Sequence, residues 1–240
     1  MHKPASAKRG FTLIELLTVI AILAILGAII FPTVGQFRTL AKKTSDSNDL
    51  RNIVQASQLF AAQYGERLVG TTEQLAVDGD NLYPNPDANA NDLADVAAVL
   101  AFGGELEDPK AWVSANETVP SKGGLYTFSG GNVTVNYEPD DFSFSYVTGL
   151  RTSASSNTPV AFTRQSGASG QWVDGDPYGA DGGHVAFMGG NVSWYTTLTN
   201  NLISPDGAAV DTIEAAIPQT DTEIREAGTP TGGAGATDSD

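Results

Sequence analysis

The sequence predicts an α+β protein in which a long amino-terminal helix packs on a small antiparallel sheet. An apolar stretch of more than 20 residues near the amino terminus is followed by an amphipathic stretch, and both have helical periodicity. Farther along, short segments alternate apolar and polar side chains, as half-buried antiparallel strands do. Because the amphipathic helix and the sheet each need cover for one apolar face, we expect them to pack together.

The apolar stretch is the first element. Residues 16–31 carry no charge and one hydroxyl group, that of Thr18. With its flanks the stretch covers residues 11–34, which is long enough to cross a bilayer as a helix. Glu15 lies just inside it. A carboxylate costs roughly 2.5–3.5 kcal/mol at the centre of a bilayer and less near its edge, so the usual explanation is a functional partner.

Three interpretations of this segment compete. A secretory signal peptide explains the basic start, but its apolar core usually has only ~7–15 residues. A plain membrane anchor explains the length and gives no reason for Glu15. The third interpretation is a family resemblance. Residues 8–32, KRGFTLIELLTVIAILAILGAIIFP, resemble the amino terminus of type IV prepilins and type II secretion pseudopilins.

The resemblance implies a processing site and an assembly residue. In this family, prepilin peptidase removes a short basic leader after a glycine and methylates the new amino terminus. Gly10 would precede the cut, residues 1–10 would be the leader, and Phe11 would be the methylated first residue. Glu15 would be fifth in the mature chain, where the family has its glutamate. It would be compensated in a filament by a neighbouring subunit's amino terminus, which would also set the register between subunits.

The resemblance also implies partners and a location. The partners are prepilin peptidase, other pilin or pseudopilin subunits, the inner-membrane assembly machinery and the membrane. Basic residues lie on both sides of the apolar stretch, so the positive-inside rule gives nearly a tie. The resemblance alone places the leader in the cytoplasm. It implies a single-pass protein of the bacterial inner membrane with its carboxy-terminal domain outside the cytoplasm, or a subunit of an envelope or extracellular filament.

Residues 35–65 form the second element, an amphipathic continuation of the helix. Apolar side chains recur at helical spacing, and Gly65 is a natural stop. Residues 44–48, TSDSN, have low helix propensity and predict a soft spot.

A globular domain is expected over residues 66–227. A polar connection carries one short helix at 92–102, which ends at Gly103. Hairpins are expected where an acidic turn at 138–141 joins two alternating segments and where Gly-Gly-Asn at 189–191 joins two others. The predicted strands are 125–128, 133–137, 142–147, 160–163, 185–188 and 192–195. The low-complexity acidic tail, residues 228–240, is expected to be disordered.

The segment GGHVAFMGGNVSWY, residues 182–195, carries a second and weaker resemblance. It looks like the end of large pilin-like families in which a Gly/His-rich loop leads into a short hairpin. Many members have Asp-Gly in that turn, whereas this chain has Gly189 and Gly190. His184 is a candidate ligand or partner-facing residue, although a lone histidine beside a strand is more often structural.

One loop suggests a cofactor. Asp174, Asp176 and Asp181 lie within eight residues of one another, among glycines that let backbone carbonyls point inward. Calcium takes six to eight oxygen ligands of this kind. The major pseudopilins, which this chain resembles at its amino terminus, bind calcium in a carboxy-terminal loop. The spacing is not that of an EF-hand. The alternative is a solvated turn. The motif Asp-Gly-Asp-Asn at 78–81 is a weaker case of the same chemistry.

The composition restricts the function. There is no cysteine, and His2 and His184 are the two histidines, so a thiolate site and a multi-histidine zinc site within one chain are excluded. Residues 68–240 contain 5 basic and 24 acidic residues, a net charge of −19. Because nucleic-acid affinity depends on neutralising phosphates, we expect no nucleic-acid binding.

Catalytic motifs are missing from the chain. It has no GxSxG, HExxH, Walker A or dinucleotide-binding set, so we expect no enzyme. Two functions are left: a pilin-like structural subunit of a type II secretion pseudopilus or type IV pilus, and a membrane-tethered acidic binding module that does not polymerise.

Overall fold

The computed structural model describes residues 13–88, 91–167, 170–218 and 220–228, except for the side chains at 29 and 31–33. The chain divides into two compact units, one ending at Ala41 and one beginning at Lys42. The first helix, α1 (Leu13–Gln63), belongs to both units. The predicted limits at 34, 65 and 227 remain predictions.

In the first unit, α1 is a helix with exposed side chains. Across the ranges that the structure describes, no helix combines the length and the apolar character required to cross a bilayer.

In the second unit, the rest of α1 carries a buried stripe at the predicted positions. Leu50, Ile53, Val54 and Phe60 are fully buried in the core, at the spacing of one helix face. After α1, Gly65 has φ +90°, and the amide of Glu66 donates to the carbonyl of Ala61 at 2.8 Å. The helix thus ends at Gln63, just before this glycine, which adopts the left-handed conformation without steric cost.

The main sheet of the second unit has five strands in the order β11-β5-β6-β7-β8, and every neighbouring pair is antiparallel. A hydrogen bond of 3.0 Å from Tyr146 Oη on β5 to Ser57 Oγ joins the sheet to α1. The predicted α+β class, with a helix on an antiparallel sheet, is confirmed. The strands are β5 (Phe144–Thr148), β6 (Pro159–Thr163), β7 (Gly183–Phe187), β8 (Val192–Tyr195) and β11 (Glu223–Arg225).

The predicted hairpin at 189–191 is confirmed, and the one at 138–141 is wrong. β7 and β8 pair across the turn, where Gly190 has φ +81°. In contrast, β4 (Asn132–Val135) pairs with β3 (Tyr126–Ser129) across Gly130 and Gly131, both with positive φ. The acidic turn leads instead from this small hairpin into the main sheet. The cause is that the Gly-Gly turn fits a tight hairpin better than a segment with Pro139 does.

The polar connection after α1 contains a hairpin that the sequence did not predict. β1 (Gln74–Asp78) pairs with β2 (Asn81–Asn85), and the Asp-Gly-Asp-Asn motif spans its turn. The next helix, α2 (Leu93–Gly103), matches the prediction. Asp92 caps it by accepting from the amides of Ala94 and Asp95. The remaining short elements are β9 (Leu202–Ile203), β10 (Ala209–Val210) and α3 (Ile213–Ala216).

Candidate functional site

The amino-terminal part of α1 holds the predicted assembly residue. Glu15 lies in the first turn of the helix as described, and its side chain is exposed. The hydroxyl of Thr18 donates to the Glu15 carbonyl at 2.9 Å. Gly10 and Phe11, the predicted processing residues, lie outside the described residues, and so does the acidic tail beyond Gly228.

Large apolar side chains surround Glu15 on all sides of the helix. Consecutive pairs such as Leu16 and Leu17, or Ile22 and Leu23, are each at least half exposed, so the apolar surface is not a single stripe. Removing one such side chain from water contributes on the order of 1.5–3 kcal/mol. The segment can therefore gain considerable stability from apolar cover on every face. The exposed set is Leu13, Ile14, Leu16, Leu17, Val19, Ile20, Ile22, Leu23, Ile25, Leu26 and Ile30.

A buried carboxylate fixes α1 near the start of the second unit. Asp46 is fully buried and accepts hydrogen bonds from Ser114 Oγ at 2.5 Å, the Ala115 amide at 2.8 Å and Tyr178 Oη at 2.8 Å. Burial raises the pKa of Asp46, and the three donors act in the opposite direction. The segment 44–48 is therefore an anchored part of the helix. The predicted soft spot is wrong, because these tertiary contacts outweigh helix propensity.

The sequence interpretation missed Asp46, although a signal was present. Asp46 lies four residues before Leu50, so a helical projection places its carboxylate on the buried stripe. A charged residue on an apolar stripe needs partners, and that requirement was the clue.

An aromatic cluster contacts Lys43, a basic residue of α1 that lies three positions before Asp46. Lys43 Nζ lies 3.4 Å from the centroid of the Trp194 ring and 5.7 Å from that of Tyr178. The two rings meet edge to face, with centroids 5.1 Å apart. This cation–π contact ties α1 to the β7–β8 hairpin at the edge of the main sheet.

His184 completes the cluster and is buried. Its ring lies 4.9 Å from that of Trp194, and its backbone amide donates to Thr163 Oγ1. Burial, together with the nearby charge of Lys43, lowers the pKa of His184 to about 4, so the ring is neutral at neutral pH. This placement fits the structural interpretation of His184 better than a partner-facing one.

The acidic loop at 174–182 does not gather its three carboxylates. Asp176 is buried and accepts from the amides of Val173 and Ser166 and from Ser166 Oγ. Asp174 and Asp181 are exposed. Within the part of the chain that the structure describes, no group of three or more Asp, Glu or His side chains is placed to hold a metal ion. Calcium binding by this loop stays a prediction.

A buried arginine supports the same loop. The Arg164 guanidinium donates to Glu117 Oε1 at 2.5 Å, to the Phe142 carbonyl at 2.9 Å and to the Gly175 carbonyl at 3.0 Å. Asp176 Oδ1 lies 3.9 Å from its Nε. The loop is therefore joined to the sheet by charge-assisted hydrogen bonds.

Comparisons with known proteins point to the amino-terminal segment. A family model described as the prokaryotic N-terminal methylation motif matches residues 5–31. The chain is 33% identical over 78 residues to the type IV major fimbrial protein FimA of Dichelobacter nodosus, and the match covers 31% of this chain and 50% of that protein. The chain thus spans about half the length of this curated relative. No solved structure matches.

These findings confirm the resemblance to the type IV prepilin and pseudopilin family. The matched range contains Gly10, Phe11 and Glu15, together with most of the exposed apolar residues. One match is to a methylation motif and the other to a fimbrial protein.

Proposed function

We propose that this chain is a pilin-like structural subunit of a type II secretion pseudopilus or a type IV pilus. Prepilin peptidase cuts between Gly10 and Phe11 and methylates Phe11, and the mature chain assembles through its amino-terminal helix. Before assembly the helix holds the chain in the bacterial inner membrane, with the acidic domain outside the cytoplasm.

One observation carries the proposal: an exposed glutamate lies in a helix that is apolar on all faces, within the matched methylation motif. A one-sided stripe would be covered by the chain's own domain. An apolar surface on every side instead fits a helix surrounded by lipid or by sister helices.

Glu15 then has a defined chemical role in assembly. After the cut, Phe11 carries a positively charged amino terminus, and the Glu15 carboxylate of a neighbouring subunit can accept its hydrogen bonds. A charge in apolar surroundings is stable when it is paired and hydrogen-bonded. The pair forms at one axial offset between two helices, so it sets the register of the filament.

The second unit is a domain to which its own part of α1 is firmly attached. Within this unit, Asp46 and Lys43 attach α1 to Ser114, to the loop that precedes β7 and to the β7–β8 hairpin of the sheet. The acidic surface of this domain favours solubility outside the cytoplasm.

Two measurements test the proposal in cells with the matching assembly machinery. Mass spectrometry of the cell-derived protein should find a mature amino terminus at N-methylated Phe11. Glu15→Gln should lose filament incorporation, because the amide removes the charge at nearly constant shape. Thr18→Ala is the matched control on the same helix and should still assemble.

A mature protein that retains Met1 would contradict the processing step. Normal filaments from Glu15→Gln would contradict the role of the charge. If the protein is processed and never enters filaments in either form, the alternative of a membrane-tethered acidic binding module is correct.

A further inference from the structure

We infer that a cleft in the second unit binds a small hydroxylated carboxylate, of the uronic-acid type, through Arg151. The cleft has a volume of about 530 Å³, within the range of roughly 300–1,000 Å³ that is common for small-molecule sites. Four parts of the chain line it: the stretch after α1, Pro86 after β2, the turn after β5 and the stretch before β11. This inference is independent of filament assembly.

Two arginines lie directly opposite each other at this cleft. Arg67 and Arg151 form an isolated antiparallel bridge. The amide of Leu68 donates to the Leu150 carbonyl at 2.8 Å, and the amide of Thr152 donates to the Glu66 carbonyl at 3.0 Å. These bonds flank the arginine pair, which is therefore the non-hydrogen-bonded kind, in which opposed side chains are closest.

Such a pair of like charges is destabilising unless an anion compensates it. Arg67 is compensated, because its guanidinium donates to both oxygens of the buried Glu73, at 2.7 and 3.2 Å. Arg151 is exposed, and its guanidinium has no ion-pair partner among the residues that the structure describes. The Arg151 guanidinium can therefore donate two parallel hydrogen bonds to the carboxylate of a ligand in the cleft.

Several hydroxyl-bearing residues line the same cleft as Arg151. The Thr72 hydroxyl donates to the Pro86 carbonyl at 2.6 Å, and the Thr222 hydroxyl donates to the Pro218 carbonyl. Both oxygens keep lone pairs that can accept from a ligand hydroxyl. The hydroxyl-bearing residues that line the cleft are Thr71, Thr72, Ser153, Thr220 and Thr222.

Asp221 adds an acceptor at the rim and is held by an unusual backbone. It has φ +60°, a conformation that is uncommon for a residue other than glycine. Its carbonyl would lie 1.8 Å from a Cβ atom at Gly149, so only glycine fits there. The turn after β5 and the stretch before β11 therefore approach each other closely. Asp221 is an exposed residue of the cleft lining, and its carboxylate can accept hydrogen bonds from ligand hydroxyls.

The charges favour a small ligand over a polymer of phosphates. Residues 68–240 have a net charge of −19 (5 − 24), which repels a polyanion. In the proposed complex, the ligand's single carboxylate accepts hydrogen bonds from Arg151, and the ligand's hydroxyl groups bond to the threonines and to Asp221. Glucuronate and galacturonate have this combination, whereas glucose lacks the carboxylate and acetate lacks the hydroxyls.

The experiment is calorimetric titration of the detergent-solubilised full chain with glucuronate, galacturonate, glucose and acetate. At least one uronate should bind at least ~10-fold more tightly than glucose and acetate do. Arg151→Gln should weaken that binding by ~10-fold or more, which corresponds to about 1.4 kcal/mol. Arg51→Gln makes the same change on α1, away from the cleft, and should bind like the parent.

Circular dichroism of Arg151→Gln first confirms that the variant is folded. The inference is overturned if neither uronate binds, if acetate binds as tightly as the uronates, or if Arg151→Gln has the parent's affinity. The binding measurement uses solubilised protein and does not require assembly. A failure to bind uronates therefore does not contradict the filament proposal, and a failure to form filaments does not contradict the ligand-binding proposal.

Discussion

Tyr178 Oη donates a 2.8 Å hydrogen bond to Asp46 Oδ2, across 132 positions of the sequence. The bond joins α1 to the acidic loop that precedes β7. Burial, followed by the charge of Asp46, raises the pKa of Tyr178, so the phenol remains a donor over the physiological range. The helix and the loop are thus held by a carboxylate that is surrounded by donors.

Asp46→Ala should lower the free energy of unfolding by about 2–4 kcal/mol, because it leaves three donors, two of them buried, without an acceptor. Asp46→Asn should lower the free energy of unfolding by less, since the amide oxygen of asparagine can still accept from one donor. Urea denaturation measures both variants. Gln55→Ala, at an exposed position on the same helix, is the control. Equal stability of Asp46→Ala and Gln55→Ala would show that the cluster contributes nothing.

Asp49 should make stability depend on pH in the opposite direction to most carboxylates. Burial, followed by the charges of Asp46 and Asp108, raises the pKa of Asp49 from 3.8 to about 6. Between these values the folded state holds more protons than the unfolded state, so the free energy of unfolding falls as pH rises through the window. The group is partly solvated, so solvent screening reduces the effect to about 1 kcal/mol.

The measurement compares the parent with Asp49→Asn at pH 4 and pH 6.5. His184 has the opposite effect in this window. Its pKa is lowered to about 4, so its contribution to stability is lost as pH falls below its unfolded value of 6.5. The contribution of His184 is the same in the variant and the parent, so it cancels in the difference between their free energies of unfolding. Asp49→Asn should gain stability relative to the parent at pH 6.5 and not at pH 4. The same difference at both values would rule out the shift.

The sequence predicted the elements whose local signals agree with the tertiary structure. The Gly-Gly-Asn turn and the buried stripe from Leu50 to Phe60 follow from turn chemistry and helical spacing, and both are present. The β1–β2 hairpin was missed because its strands are polar and β2 contains Pro84, which argues against a strand. Short β11 was missed because three residues carry no periodicity.

The candidate sites were predictable only where one segment contains the whole signal. Gly10, Phe11 and Glu15 lie in one motif, so the sequence alone predicts their roles together, and those roles stay predictions. The cluster at Asp46 joins residues 132 positions apart, Asp46 and Tyr178. The cleft at Arg151 joins residues up to 155 positions apart, Arg67 and Thr222. No local pattern reports such pairings.

Arg164→Met should lower the free energy of unfolding by about 3–5 kcal/mol, because buried Asp176 and Glu117 lose their countercharge. The acidic loop should also become more sensitive to proteolysis, since its Gly175 carbonyl loses a donor. Arg164→Lys should not restore stability, because an ammonium group cannot reproduce the planar set of donors. Urea denaturation and limited proteolysis measure these effects. A fully stable Arg164→Lys would contradict the geometric argument.

Lys43→Gln should weaken the attachment of α1 to the β7–β8 hairpin by about 0.5–2 kcal/mol, because the cation over Trp194 is removed. The same change should raise the pKa of His184, since Lys43 is one of the two causes that lower it, and burial should keep it below 6.5. Denaturation of Lys43→Gln, Trp194→Leu and the double variant isolates the coupling energy, and NMR titration follows the histidine. Lys42→Gln is the matched control, one residue earlier and exposed. Additive losses in the double variant, or an equal histidine shift in Lys42→Gln, would mean that the contact does not hold the helix.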